Sequence, residues 1–300
     1  MPPLCVSDGI DVLVRMWYRK YNTIKYVWLL NDAAEAAQTE SDDKESGGWG
    51  MSMRRYRGKR HQRKRFGLWA AVAILVALVI GSVFYIRDFY RADGSALEAL
   101  ESGNGVTVEQ TDDLVVFIPE EPIGGLVFYP GGKVEHTAYA PLLRKLAEQG
   151  ILCVLPEMPF RLAVLDAHAA DEIPERYPEI ETWFIGGHSL GGSMAAACAE
   201  KHRERFEGLV LLAAYSTKDL TDSDLRVLSI YGTEDGVLKR ESYSENQSNL
   251  PDSVVEVIVD GGNHACFGSY GPQEGDGAAR ISPQDQMKET VERMIAFFAE

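Results

Sequence analysis

The run Trp183-Phe184-Ile185-Gly186-Gly187-His188-Ser189-Leu190-Gly191-Gly192-Ser193-Met194 constrains the fold more than any other part of this 300-residue chain. Apolar residues of strand type lead into a Gly-x-Ser-x-Gly turn, and small residues of helical type lead out of it. Such a turn holds its serine in a strained backbone conformation at the tip of a strand. Glycines two positions to either side let neighbouring segments approach closely. Gly187 and Gly191 occupy those places, which makes Ser189 the candidate nucleophile.

The rest of the second half alternates in the way a parallel sheet requires. Strand-like runs cover 106–110, 114–118, 125–129, 151–155, 182–185, 208–213, 226–231 and 254–259. Helical periodicity covers 138–149, 191–202, 240–249 and 283–299. Apolar strands separated by amphipathic helices predict a mainly parallel sheet covered on both faces, and the first two strands, joined by a short turn, predict an antiparallel start.

Four motifs stand at the ends of those strands: Tyr129-Pro130-Gly131-Gly132, Gly187-His188-Ser189-Leu190-Gly191, Gly232-Thr233-Glu234-Asp235 and Gly262-Asn263-His264. With eight strands and the serine turn after the fifth, the chain over about residues 105–300 resembles the α/β-hydrolase superfamily. Within it, the short connections resemble the dienelactone-hydrolase-like and small esterase branch. The resemblance implies an α/β-hydrolase fold of eight mostly parallel strands with helices on both faces. It also implies cleavage of a small-molecule carboxylic ester, or a related acyl bond, through an acyl-serine intermediate. An acyltransferase or peptidase with the same residues, or a silent binding module on the same fold, are the rival readings.

A serine hydroxyl is a weak nucleophile near neutral pH and needs a base and an orienting carboxylate. In the superfamily these follow the serine in the order acid, then histidine, and only His202 and His264 follow Ser189. His202 falls on the helix leaving the turn, about three turns away; His264, in a loop beyond the last strand, is the expected base. Asp235 matches the family's Gly-x-x-Asp pattern, with Glu234 and Asp260 as competitors. For the oxyanion, Leu190 supplies one amide by position, and the second is expected from Gly132 or Lys133. Proline stands before these glycines where esterases carry His-Gly-Gly, which leaves the donor open between the two.

Only a dozen or so mostly polar residues lie between Ala213 and Leu225, where many relatives insert a cap, so an uncapped site is expected. The glycine-rich loop 266–277 is the expected wall, with Phe267 and Tyr270 facing the substrate. No phosphate-binding loop or metal-ligand spacing is visible, and no cofactor or metal is expected.

The N-terminal third reads differently. Residues 66–86 carry no charge, and at 1.5 Å per residue they span roughly 30 Å, the thickness of a bilayer's hydrocarbon. Eight Lys and Arg residues lie between Arg54 and Arg65, which predicts one transmembrane helix with a cytoplasmic N-terminal segment (1–65), a connector (87–104) and a catalytic domain (105–300) outside the cell membrane. Met51 and Met53 open a stretch that looks like the start of a signal-anchor, so translation is expected to begin there. Residues 92–300 hold 15 Lys and Arg against 36 Asp and Glu, an acidity that argues against nucleic acid as a partner. Cys5, Cys153, Cys198 and Cys266 show no redox or metal spacing, and the middle two are expected to be buried thiols. Oligomeric state is not legible.

Overall fold

The strand-like runs pair into a single eight-stranded sheet in the order β1-β2-β4-β3-β5-β6-β7-β8. The structure is a computed structural model that describes residue 69 and residues 72–300. The strands are β1 (Val106–Gln110), β2 (Leu114–Pro119), β3 (Gly124–Tyr129), β4 (Ile151–Pro156), β5 (Trp183–His188), β6 (Gly208–Leu212), β7 (Arg226–Gly232) and β8 (Val255–Val259). β1 is antiparallel to β2, and β2 to β4; all other neighbours are parallel. Three residues join β1 to β2, enough for a hairpin and too few for a crossover.

Each parallel strand sends alternate side chains to opposite faces. Leu126 and Phe128 of β3 join one core with Leu142, Leu143, Leu146, Met294 and Phe297. Those partners lie on α2 (Ala140–Ala147) and α6 (Pro283–Ala299). Val127 and Tyr129 join a second core with Ala195, Ala196 and Ala199 of α4 (Leu190–Lys201). Small side chains let α4 sit close over the sheet, and helices cover both faces as expected. The start of α6 is set by Ser282, whose hydroxyl accepts from the Asp285 amide at 3.1 Å, and by Pro283 in the first turn. Three further short helices are α1 (Gly94–Glu98), α3 (Ile173–Arg176) and α5 (Arg240–Asn246).

Two segments depart from expectation. Residues 87–104, expected as a juxtamembrane connector, lie in the compact unit that carries the sheet, which spans Tyr85–Glu300. The Tyr90 amide donates to the Lys133 carbonyl at 2.8 Å and its carbonyl accepts from the Glu135 amide at 2.9 Å, while Asp93 caps α1 and donates its amide to the Ser269 carbonyl at 2.8 Å. Backbone pairing of this kind is invisible to side-chain periodicity. The second is the 26-residue excursion between β4 and β5, residues 157–182, which contains α3 and two 3₁₀ turns. By contrast, residues 213–225 hold no helix or strand.

Residues 72–87 are helical, and large apolar side chains there are exposed, Phe84 by 71%. Among the described residues no helix is long and apolar enough to cross a membrane. The expected span 66–86 begins outside the described residues. The expected cytoplasmic segment 1–65, with Met51, Met53 and Cys5, lies wholly outside them.

Candidate active site

The turn after β5 has the geometry its glycines allow. Ser189 sits at φ 53° and ψ −122°, a strained conformation for a residue with a Cβ, and α4 begins at the next residue. A Cβ on Gly187 would lie 2.6 Å from the Tyr129 carbonyl oxygen and 2.6 Å from the Gly191 carbonyl carbon. One on Gly191 would collide with the carbonyl oxygens of Tyr129 and Pro130. Only glycine lets the turn press against the end of β3, and that contact brings the 130–133 loop beside Ser189.

The loops after β7 and β8 bring an acid and a histidine together. His264 Nδ1 lies 2.9 Å from Asp235 Oδ2, with both side chains fully buried. Asp235 Oδ1 accepts from the amides of Val237 and Leu238 at 2.9 and 2.8 Å, so the carboxylate is held from both oxygens. This pairing assigns the ring proton to Nδ1 and leaves Nε2 as the acceptor. His264 Nε2 is buried and has no hydrogen-bond partner among the described residues. The competing acids are placed elsewhere: Glu234 and Asp260 both pair with Arg280 at the surface, at 2.8 and 2.7 Å.

The two open oxyanion candidates differ. The Lys133 amide is committed to the Arg161 carbonyl in the β4–β5 excursion at 2.9 Å, and Lys133 itself takes φ 60°. The Gly132 amide makes no hydrogen bond among the described residues, and a Cβ on Gly132 would lie 3.0 Å from Leu190 Cδ2. Gly132 and Leu190 are therefore neighbours across the loop, with Ser189 between the elements that carry them. The Lys133 amide is thus engaged, while that of Gly132 is free among the described residues.

Phe267 and Tyr270 do not form an exposed wall. Both are buried: the Phe267 ring packs 5.7 Å from that of His188, and Tyr270 stacks against Tyr90 and Tyr139. Two glycines of the 266–277 loop serve close contact, since a Cβ on Gly268 would lie 2.7 Å from Tyr270 Cε1 and one on Gly277 would collide with the Glu234 carbonyl oxygen, whereas Gly271 and Gly275 face open space at positive φ. Cys266 is half-buried with its thiol pKa pushed up by burial, so it stays protonated. Cys153 and Cys198 are buried free thiols.

Three site residues escaped the sequence reading. His188, inside the serine motif, stacks 4.4 Å from His264 and bonds Tyr139 Oη through Nδ1 at 2.8 Å. Tyr139 Oη accepts from the Gly131 amide at 3.0 Å, which fastens the 130–133 loop to β5. Burial depresses the His188 pKa well below the usual histidine value, and neighbouring His264 pushes the same way, so this imidazole is neutral. Asp276 accepts from the amides of Gly236, His264 and Ala265 at 3.0, 3.2 and 2.8 Å, clamping the acid loop to the histidine loop. Its place in Gly275-Asp276-Gly277 was the available signal, an acceptor between residues that expose backbone.

The profile of the alpha/beta hydrolase family matches residues 125–288, over half of the chain, and the chain belongs to that family. A search of curated proteins finds no match. Among solved structures the chain is similar to carboxylesterase CesB (YbfK) from Bacillus subtilis, at 13% identity and TM-score 0.49 over 68% of this chain and 94% of that one. It is also similar to Est1E from Butyrivibrio proteoclasticus, at 13% identity and TM-score 0.48 over 65% and 100%. A third is an S-formylglutathione hydrolase from Agrobacterium tumefaciens, at 16% identity and TM-score 0.44 over 64% and 97%.

Proposed function

We propose that this protein is a serine hydrolase that cleaves a small-molecule carboxylic ester through an acyl-Ser189 intermediate, with His264 as base, Asp235 as its orienting acid, and the Leu190 and Gly132 amides as oxyanion donors. One observation carries the reading: the buried His264–Asp235 pair at 2.9 Å lies against the chain neighbour of a serine held at φ 53°. Catalytic hydrogen bonds are often long in the free enzyme and close on binding substrate, and the partnerless Nε2 is the atom that Ser189 Oγ must reach.

In this scheme Ser189 Oγ attacks the ester carbonyl while its proton passes to His264 Nε2. The imidazolium that forms is stabilised by Asp235, and a neutral His188 adds no opposing charge. Collapse of the tetrahedral intermediate breaks the acyl C–O bond, and the proton moves from Nε2 to the departing alkoxide. Water then attacks the acyl-serine, giving its proton to His264; the acid departs and Ser189 regains a hydroxyl.

Fluorophosphonate labelling tests the nucleophile. Wild type takes the label and Ser189→Ala does not; a folded wild type that stays unlabelled, or equal labelling of both, refutes the assignment.

The uncharged run 66–86, with eight cationic residues just before it, supports a single-pass anchor with the catalytic domain outside the cell membrane. Alkaline carbonate extraction should leave the full chain with the membranes, and intact cells treated with protease should lose the domain. Release by carbonate, or protection from protease, would overturn the placement.

A further inference from the structure

At the far end of α4 from Ser189, we propose that His168, Asp171 and His202 form a binding site for a zinc-class divalent cation. The excursion after β4 supplies His168 and Asp171, and His202 is the residue that ends α4. His168 Nδ1 lies 3.5 Å from Asp171 Oδ2, and His202 Nε2 lies 3.2 Å from Asp171 Oδ1. One donor atom from each residue falls within 4.8 Å of the other two. Zinc–nitrogen and zinc–oxygen bonds of about 2.0–2.2 Å give tetrahedral edges of about 3.3–3.6 Å, which the two histidine–aspartate separations of 3.5 and 3.2 Å already approach.

The hydrogen-bond inventory points the same way. His202 Nε2 is screened from water and 3.2 Å from a carboxylate oxygen, yet off the line that a hydrogen bond requires. Two ligands sharing an edge of a coordination shell stand in that relation, both directing lone pairs at a third point. Asp171 is held in place independently: its backbone carbonyl accepts from Arg205, and Cys198 Sγ donates to Oδ1 at 3.6 Å. Cys198 is the donor in that contact, so it orients the carboxylate and is not itself a ligand. The partial negative charge at the end of α4 favours a cation there.

Lys201 is the built-in competitor. Its Nζ lies 3.2 Å from His168 Nε2 and donates to it, which keeps the imidazole proton on Nδ1. A cation on Nδ1 requires the other tautomer and displaces the exposed ammonium. Occupancy would fasten the 157–182 excursion to α4, remote from the reacting atoms, so the site is structural in effect and independent of the hydrolase reading.

The test is titration of the full-length, chelator-treated protein with Zn²⁺ by calorimetry and with Co²⁺ by visible absorption. One equivalent should bind, with the intense Co²⁺ bands of a four-coordinate site. His168→Ala, at a half-exposed position where folding is not at stake, should weaken Zn²⁺ by about 100-fold, and His202→Ala by a similar factor. Lys201→Ala should tighten it several-fold, and fluorophosphonate labelling of Ser189 should be unchanged in all three variants. No saturable equivalent in wild type, or binding that survives both histidine substitutions, overturns the proposal.

Discussion

Each end of α4 holds two histidines and an aspartate, and the two trios differ in what surrounds them. At the start, His188, His264 and Asp235 are shut away, with exposures of 1%, 1% and 7%. At the end, the side chains of His168, Asp171 and His202 remain 49%, 32% and 19% exposed. Similar residue types are therefore set in different surroundings. Burial leaves the inner trio to be positioned by backbone amides, the Tyr139 hydroxyl and packed rings, which yields a fixed His264–Asp235 pair and leaves the Nε2 atoms of His264 and His188 without partners among the described residues. The outer trio is only partly covered, a setting that suits the proposed cation better than proton transfer.

The comparison breaks most visibly in catalysis. His264→Ala and Asp235→Asn should each lower kcat for a p-nitrophenyl ester by about 10⁴-fold, the order seen when a triad member is lost. His202→Ala, with the same side-chain loss at the other end of the helix, should change kcat by less than about twofold. Comparable losses in both would dissolve the distinction between the two ends.

The next effect is on folding. Gly191→Ala places a Cβ into the carbonyl oxygens of Tyr129 and Pro130, and neither strand end can retreat, so a loss of roughly 3 kcal/mol or more is expected in chemical denaturation. Lys201→Ala, exposed at the other end of the same helix, should stay within about 0.5 kcal/mol. A stable Gly191→Ala protein would mean that the close approach of α4 to β3 is not required.

How much of this was legible follows from the range of each interaction. The elbow, the strands and α6 announce themselves locally, through glycine spacing, β-branched runs and a Ser-Pro helix start. Within the adjacent pair Glu234-Asp235, the sequence favoured the residue that the fold turns inward; the Arg280 pairing of its neighbours is a long-range fact. Backbone engagement was illegible: nothing in Lys133 signals that its amide meets the Arg161 carbonyl. Phe267 and Tyr270 were expected to face substrate from a glycine-rich wall, whereas both rings are buried and Gly268 lets the chain close against Tyr270. The outer trio joins residues 34 positions apart, beyond any local spacing rule.

Asp276 offers a smaller break within the inner site. Its carboxylate touches neither Ser189 nor the His264 ring and acts only by accepting amides from the two loops. Asp276→Ala should reduce kcat by about 10- to 100-fold through misplacement of His264, with KM little changed. Asp276→Asn keeps one acceptor oxygen and should recover much of the loss. An alanine variant with full kcat would show that the Asp235–His264 contact sets the geometry without the clamp.

The smallest effect separates burial from charge. His188 has a folded-state pKa well below its ordinary value of 6.5, with desolvation the main cause and His264 the second. The unfolded chain therefore binds a proton at His188 that the folded chain refuses. Its contribution to stability is complete above pH 6.5 and is lost as the pH falls below it, with a slope of at most about 1.4 kcal/mol per pH unit. His136, also depressed by burial, adds to the same slope and survives in a His188 variant. His188→Asn should thus flatten the fall in denaturation free energy between about pH 6.5 and pH 5 without abolishing it. An unchanged slope would show that the imidazole takes up its proton in the folded state, and that burial at the inner end of α4 does not enforce neutrality.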